Sequence, residues 1–206
     1  MQILHIDSSI SGDQSVSRQL TANIVAKLTA ANPGAAVAYR DLAAAPVPHQ
    51  SPAILLSKIQ PPTDEADRDG QVCTEIAATD AALDAFLAAD VIVLGAPMYN
   101  FSIPSQLKAW IDSLAVAGKT FRYTEAGAEG LAGGKKVIIA SSRGGLYGAD
   151  SPIAFMDHQE NYLRGFFGFI GVTDIAFVRA EGLALGPEQR RLALENAAAD
   201  TTALAA

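Results

Sequence analysis

"VIVLGAPMYNFSIPSQLKAW", residues 91–110, is the stretch that decides how this chain folds. Val91-Ile92-Val93-Leu94 is apolar at every position, where a strand with one wet face would alternate. A continuous run of this length predicts a strand buried on both faces. It then breaks at Gly95-Ala96-Pro97 into a short loop carrying Met98, Tyr99, Asn100 and Phe101. Leu107, Trp110, Ile111 and Leu114 follow at helical spacing, so the unit reads as strand, loop, helix.

The same unit recurs on either side. Ile3-Leu4-His5-Ile6, Val137-Ile138-Ile139-Ala140 and Ile175-Ala176-Phe177-Val178 have strand composition, with a weaker run at Ala36-Val37-Ala38-Tyr39. After the first run, Val16, Leu20, Ile24 and Leu28 mark a helix, with Ser15 and Ser17 available as caps. Strands apolar on both faces and alternating with helices require a parallel sheet covered on both sides. Five such units predict a flavodoxin-like α/β three-layer sandwich with a five-stranded parallel sheet in the order 2-1-3-4-5. Residues 1–206 read as one domain. The stretch 46–70 breaks the rhythm, since it holds five of the ten prolines and then the run Asp64-Glu65-Ala66-Asp67-Arg68-Asp69. It reads as an extension with a short helix around Ile54-Leu55-Leu56. An alanine-rich terminal helix is expected after Pro187.

Composition removes several classes of function. A formal net charge of -7 supplies no basic field for nucleic acid or an anionic membrane surface. No apolar run approaches the ~18 residues that a membrane span needs, and the N-terminus enters a strand without a basic leader. A cytoplasmic location is therefore expected. Cys73, the lone cysteine, has no internal disulfide partner and reads as a small apolar helix residue.

In an open parallel sheet, ligands bind beyond the carboxyl ends of the strands near the switch point, which points to the loops after runs one, three and four of the sheet. The first, Ser8-Ser9-Ile10-Ser11-Gly12-Asp13-Gln14-Ser15-Val16-Ser17, is rich in hydroxyls and opens a helix. Such a helix start offers unpaired amides and partial positive charge to a phosphate, although Ser and Asp also serve there as plain caps. In the second, Met98, Tyr99 and Phe101 supply flat or polarizable surface and Asn100 both a donor and an acceptor, which suits a planar heteroaromatic ligand. An ordinary turn over the core would use the same residues. In the third, Ser142-Arg143-Gly144-Gly145 combines a hydroxyl, a cation and close backbone approach.

Together the three loops describe a site for flavin mononucleotide (FMN). No two glycines are separated by one residue, so the dinucleotide pattern G-x-G-x-x-G is absent. Gly118-Lys119-Thr120 ends like a phosphate-binding loop, but Ser113 stands where the earlier glycine is required. A receiver domain would need an acceptor aspartate where this chain has Gly95-Ala96-Pro97. A G-x-S-x-G elbow is missing, and His5 in a strand, His49 in the extension and His158 on an expected helix lack metal-ligand spacing, so no metal site is expected.

At these residues the chain resembles the FMN-dependent NADH azoreductases, also described as FMN-dependent NADH:quinone oxidoreductases. The likeness runs through "SSISGDQSVSRQL", "RDLAAAPVP", "APMYNFSIPSQLKAWID", "GKTFRYTEAGAEGL", "SSRGG", "GFIGVTD" and "AEGLALGPE". The resemblance implies that Ser9, Ser15, Val16 and Ser17 hold the flavin phosphate. It implies that Met98, Tyr99, Asn100 and Phe101 contact the ring and ribityl chain, with Ser142, Arg143, Gly144 and Gly145 closing the other side. It further implies a homodimer with each flavin near the subunit interface, and Tyr123 and Phe166 as aromatic lining of the substrate pocket. For Phe166 a place in the helix core is the alternative. Leu146-Tyr147-Gly148 departs from relatives that carry an aliphatic residue and then histidine after "SRGG", which bears on substrate range.

The implied reaction is ping-pong, in which NADH reduces the flavin and leaves before a quinone or an aromatic azo compound takes the two electrons. The cofactor carries the redox chemistry, so no side chain is named as catalytic. An electron-carrier flavodoxin without an NADH pocket, or a non-catalytic sensor of the same fold, would share the flavin; NADH turnover with an acceptor separates them.

Overall fold

A computed structural model describes residues 1–59 and 70–204. Two of the extension's five prolines, Pro61 and Pro62, and its charged run at 64–69 lie outside the described residues. Five strands, β1 (Gln2–Asp7), β2 (Ala36–Asp41), β3 (Val91–Pro97), β6 (Lys136–Ser142) and β7 (Asp174–Ala180), form one sheet in the order β2-β1-β3-β6-β7, every neighbouring pair parallel. Numbered within that sheet alone, the order is the expected 2-1-3-4-5.

The continuous apolar runs are sorted by the pleat. Ile92 and Leu94 of β3 turn to one face with Leu4, Ile6, Val137 and Ile139, beneath α3 (Gly70–Ala88), α4 (Ser105–Leu114) and α5 (Glu160–Phe169). Val91 and Val93 turn to the other with Ile3, Ile138, Ala140 and Val178, beneath α1 (Val16–Ala31) and α6 (Pro187–Ala203). All seven residues of β3 are buried. On the first face Phe86, Trp110 and Phe167 are fully buried, with Phe86 meeting the Trp110 ring edge-on. On the second, Leu20, Ile24 and Leu28 of α1 face small residues of α6, Ala193 and Ala197, which lets two helices share that side.

The expected short helix in the extension is longer than its apolar centre, running as α2 over Pro52–Ile59. Ser51 Oγ accepts from the amide of Ile54 at its start. One element was not anticipated: an antiparallel hairpin, β4 (Phe121–Thr124) with β5 (Gly127–Gly130), between α4 and β6. His158 lies in the turn before α5 and not on a helix, where its amide donates to Phe101 O. Cys73 is on α3 but only half-buried. Among the described residues no helix is long and apolar enough to cross a membrane.

Candidate functional site

The carboxyl ends of β1, β3 and β6 are stitched together by hydrogen bonds from both backbone and side chains. Ser8 Oγ donates to Gly95 O at 2.6 Å, tying the first loop to the end of β3. The Met98 amide donates to Ser142 O at 2.8 Å, tying β3 to β6. Tyr99 closes the gap from above, its hydroxyl lying 3.2 Å from Ser9 Oγ and accepting from the Ile10 amide. The three loops singled out from sequence therefore meet.

Between them lies an open cleft of about 210 Å³, bordered by the Ser9–Val16 loop, Pro97-Met98-Tyr99 and Ser142-Arg143-Gly144, with Leu183 and Arg190 on its far side. The lining holds hydroxyls, amides, one thioether, one phenol and two arginines, and no carboxylate. In a chain with net charge -7, a cleft lined without acids is one that an anionic group can enter. A ligand with an anionic group and a flat body fits it. At one end stands the start of α1, where Ser15 is the N-cap, its Oγ accepting from the Arg18 amide. First-turn amides such as those of Val16 and Ser17 have no acceptor inside the helix and are the groups a phosphate would take up.

A family model for the flavodoxin-like fold matches residues 1–204. A protein of Rhizobium meliloti (strain 1021) named FMN-dependent NADH:quinone oxidoreductase is 58% identical over 197 residues, covering 96% of this chain and 93% of that protein. One of the same name from Bradyrhizobium sp. (strain BTAi1 / ATCC BAA-1182) is 55% identical over the full length of both. The chain belongs to this flavodoxin-like oxidoreductase family. The crystal structure of the azoreductase from Bacillus anthracis str. Sterne superimposes with a TM-score of 0.87 at 28% identity, covering 98% of this chain and 97% of that one.

Of the residues the family resemblance nominates, Ser9, Ser15, Val16, Met98, Tyr99, Ser142, Arg143 and Gly144 line the cleft. Four others do not. Ser17 is fully buried and its hydroxyl lies 3.1 Å from Ser15 Oγ, so it supports the cap. Asn100 and Phe101 form the tip of a tight turn, closed by reciprocal hydrogen bonds between Tyr99 and Ser102. Both have positive φ, 47° and 72°, the geometry of a two-residue type I′ turn. Gly145 is covered by Tyr147, whose ring would stand 3.2 Å from a Cβ placed there and which meets Phe101 edge-on at 6.5 Å. Phe101 and Gly145 thus flank Tyr147, with Asn100 beside Phe101 in the same turn.

Arg143 differs from the free cation its position in the motif suggests. It is 2% exposed. Its guanidinium binds Asp157 at 2.9 Å, Glu181 at 3.0 Å and Glu160 at 2.5 Å, and Nε donates to Ser141 Oγ and Gln159 Oε1, both at 3.0 Å. Glu160 is held in turn by Arg179. The head group is consumed by the scaffold, leaving the backbone and stem of this segment to border the cleft.

Under the first loop, Arg18 donates from Nε and Nη2 to Ser9 O and pairs with Asp41 at 2.7 Å. Asp7, 3% exposed, accepts from Thr21 and Tyr39. Gly95 has to be glycine here, because a Cβ would lie 2.7 Å from Asp7 Oδ1. Burial pushes the Asp7 carboxyl up, but the neighbouring His5 imidazole and the two hydroxyls outweigh it and leave it below the usual carboxylate value.

Tyr123 sits on the hairpin with its side chain outward, 77% exposed. Phe166 is half-buried on α5 between Tyr162 and Phe167, packed against the core. Neither borders the cleft within one chain. Sequence reasoning missed Arg190, which comes from α6, and the acids that hold Arg143, because nothing in the loop motifs marks residues that arrive from later helices.

Proposed function

We propose that this chain is an FMN-dependent NADH:quinone oxidoreductase that also reduces aromatic azo compounds, with the whole of residues 1–206 serving as one FMN-binding domain. The single observation that carries the cofactor assignment is the acid-free lining of a cleft at the carboxyl ends of three parallel strands, with the start of α1 at one end. This donor set fits a phosphorylated flavin. Hydroxyls of Ser9 and Ser15 and the amides of Val16 and Ser17 would hold the phosphate, Ser17 through its backbone. Pro97, Met98 and Tyr99 would wall one side of the ring, and Ser142, Arg143 and Gly144 the other, with Asn100, Phe101 and Gly145 at the rim.

FMN, when bound, supplies the redox chemistry by taking two electrons from NADH and passing them to the acceptor. The chain's own groups bind and orient. The amides of Met98 and Tyr99 are spent on Ser142 O and Ser102 O, so the backbone donors that would favour the charge of a reduced ring are those of Gly144–Gly145, preformed dipoles that need no reorganisation. Such a site lets donor and acceptor use one face in turn, which is the basis for the ping-pong order. NADH as donor suits a cytoplasmic enzyme.

Tyr123, Phe155 and Ile10, the last beside the cleft, are large side chains left exposed on the single chain, which a partner subunit would cover. We infer from them a homodimer in which Tyr123 reaches the partner's pocket while Phe166 stays within its own helix layer. The test of the proposal is NADH consumption by purified protein with a quinone such as menadione or an azo dye such as methyl red, with and without added FMN. FMN-dependent turnover with both acceptors is expected. Protein that gains no flavin absorbance and oxidises no NADH would refute the assignment.

A further inference from the structure

The two arginines of the cleft are in opposite situations. Arg143 is bound on every side by the scaffold. Arg190, on the first turn of α6, is exposed at the cleft edge, and its guanidinium has no ion-pair partner among the described residues. Every other arginine there except Arg40 pairs with a carboxylate. The adjacent Arg191 is an instructive contrast, since Glu188 and Glu195 each hold it at 2.5 Å.

Fold geometry explains why Arg190 arrives where it does. Helices α1 and α6 lie side by side on one face of a parallel sheet, and both begin at its carboxyl edge. Arg190 is therefore level with the start of α1, and the residues sharing the cleft with it include Gln14, Ser15 and Val16. Asp13, the one acid of that loop, is outside the lining. A long cationic side chain without an ion-pair partner, sharing an acid-free cleft with the start of α1, complements an anionic group, and in FMN that group is the phosphate.

We infer that Arg190 is the cation that pairs with the cofactor's phosphate from the α6 side, opposite the amides of α1. This rests on the FMN reading of the cleft. The amides would fix the phosphate's place, while Arg190 would add charge to it at the cost of a mobile side chain, so its contribution is electrostatic and screened by salt.

Riboflavin, which has the ring without the phosphate, separates this contact from the rest of the site. Dissociation constants for FMN and riboflavin are measured by fluorescence quenching on the apoprotein and on Arg190→Gln and Arg191→Gln, which lose the same charge one residue apart. For Arg190→Gln the FMN constant should rise about fivefold at low ionic strength, with the difference shrinking at about 0.5 M salt, while riboflavin binds as before. Arg191→Gln should leave both constants unchanged, and Arg190→Lys should recover most of the FMN affinity. An unchanged FMN constant in Arg190→Gln overturns the inference, and so do equal losses for both flavins or equal effects of the two glutamines. If the unaltered protein binds neither flavin, the cofactor reading itself fails and this contact falls with it.

Discussion

The two walls of the cleft are built on opposite principles. The β6 wall is a buried ionic lattice, in which the Arg143 guanidinium serves three carboxylates, Ser141 and Gln159, and Gln159 Nε2 reaches across to Ala96 O. The β3 wall ends in a turn whose two central residues both have positive φ, and one of them, Phe101, is 40% exposed. The first wall is over-determined by many partners. The second is held in an unfavourable backbone conformation by a few hydrogen bonds, among them His158 N to Phe101 O. Under the proposed ping-pong order such a division would help, because one side would fix the cofactor's place and the other leave a ring at the entrance.

Removing the centre of the rigid wall is the strongest way to break that comparison. Arg143→Leu would leave Asp157, Glu160 and Glu181 facing one another without their common partner. Loss of one member of a buried ionic group costs about 3–5 kcal/mol, since the remaining charges stay desolvated. Denaturant unfolding should show that loss in the flavin-free protein, where no cofactor contact contributes. Stability within about 1 kcal/mol of the parent would mean that the lattice is a solvated cluster and the contrast between the walls is false.

The turn at the other wall predicts the reverse pattern. A buried phenylalanine costs about 3–5 kcal/mol to truncate. Phe101 is half outside, and its left-handed backbone costs about 1–2 kcal/mol that glycine would not incur. In Phe101→Gly these terms oppose each other, so stability should move by no more than about 1 kcal/mol. Affinity for FMN and riboflavin alike should fall about three- to tenfold, the range of one lost aromatic contact. A large loss of stability with unaltered flavin binding would show that the turn serves the core and not the ligand.

How much of this was open to reading from sequence follows from what each feature depends on. Val91–Leu94 and Val137–Ala140 declare themselves because burial on both faces leaves no room for polar residues, and the loops after them are fixed by topology once the sheet is known. The β4–β5 hairpin escaped because Gly127-Ala128-Glu129-Gly130 has neither alternation nor β-branched residues; it is held by pairing with Phe121–Thr124 and by Arg122 bonded to Glu129 across the strands. Arg143 borders the cleft, but that its charge is spent elsewhere is not legible in the motif, since residues 157, 160 and 181 that consume it come from segments whose approach to β6 is a tertiary fact. Arg190 was invisible for the same reason, being a polar position on a helix that looked like plain terminal structure.

The floor beneath the first loop offers the smallest effect and the one most sensitive to pH. Arg18 fastens Ser9 O there, and its hydrogen bond holds the Asp41 carboxyl below the usual value, as the hydroxyls and imidazole around Asp7 outweigh burial to do for that group. A carboxyl whose value is lower in the folded chain than in the unfolded one releases its proton more readily when folded. Its contribution is present above the ordinary value of 3.8 and is lost as pH falls below that through the folded value. The denaturation midpoint should therefore be level from about pH 7 to about pH 5 as far as these two groups are concerned, and slope downward beneath about pH 4. Asp7→Asn removes one of the two groups and should make the acid slope shallower. Thr21→Val should act in the same direction by less, since it deletes one hydrogen bond to a carboxylate that keeps Tyr39. An acid slope as steep in Asp7→Asn as in the parent would show that this carboxyl is held no differently in the folded chain than in water, and the floor would then be joined to the phosphate loop through Arg18 and Asp41 alone.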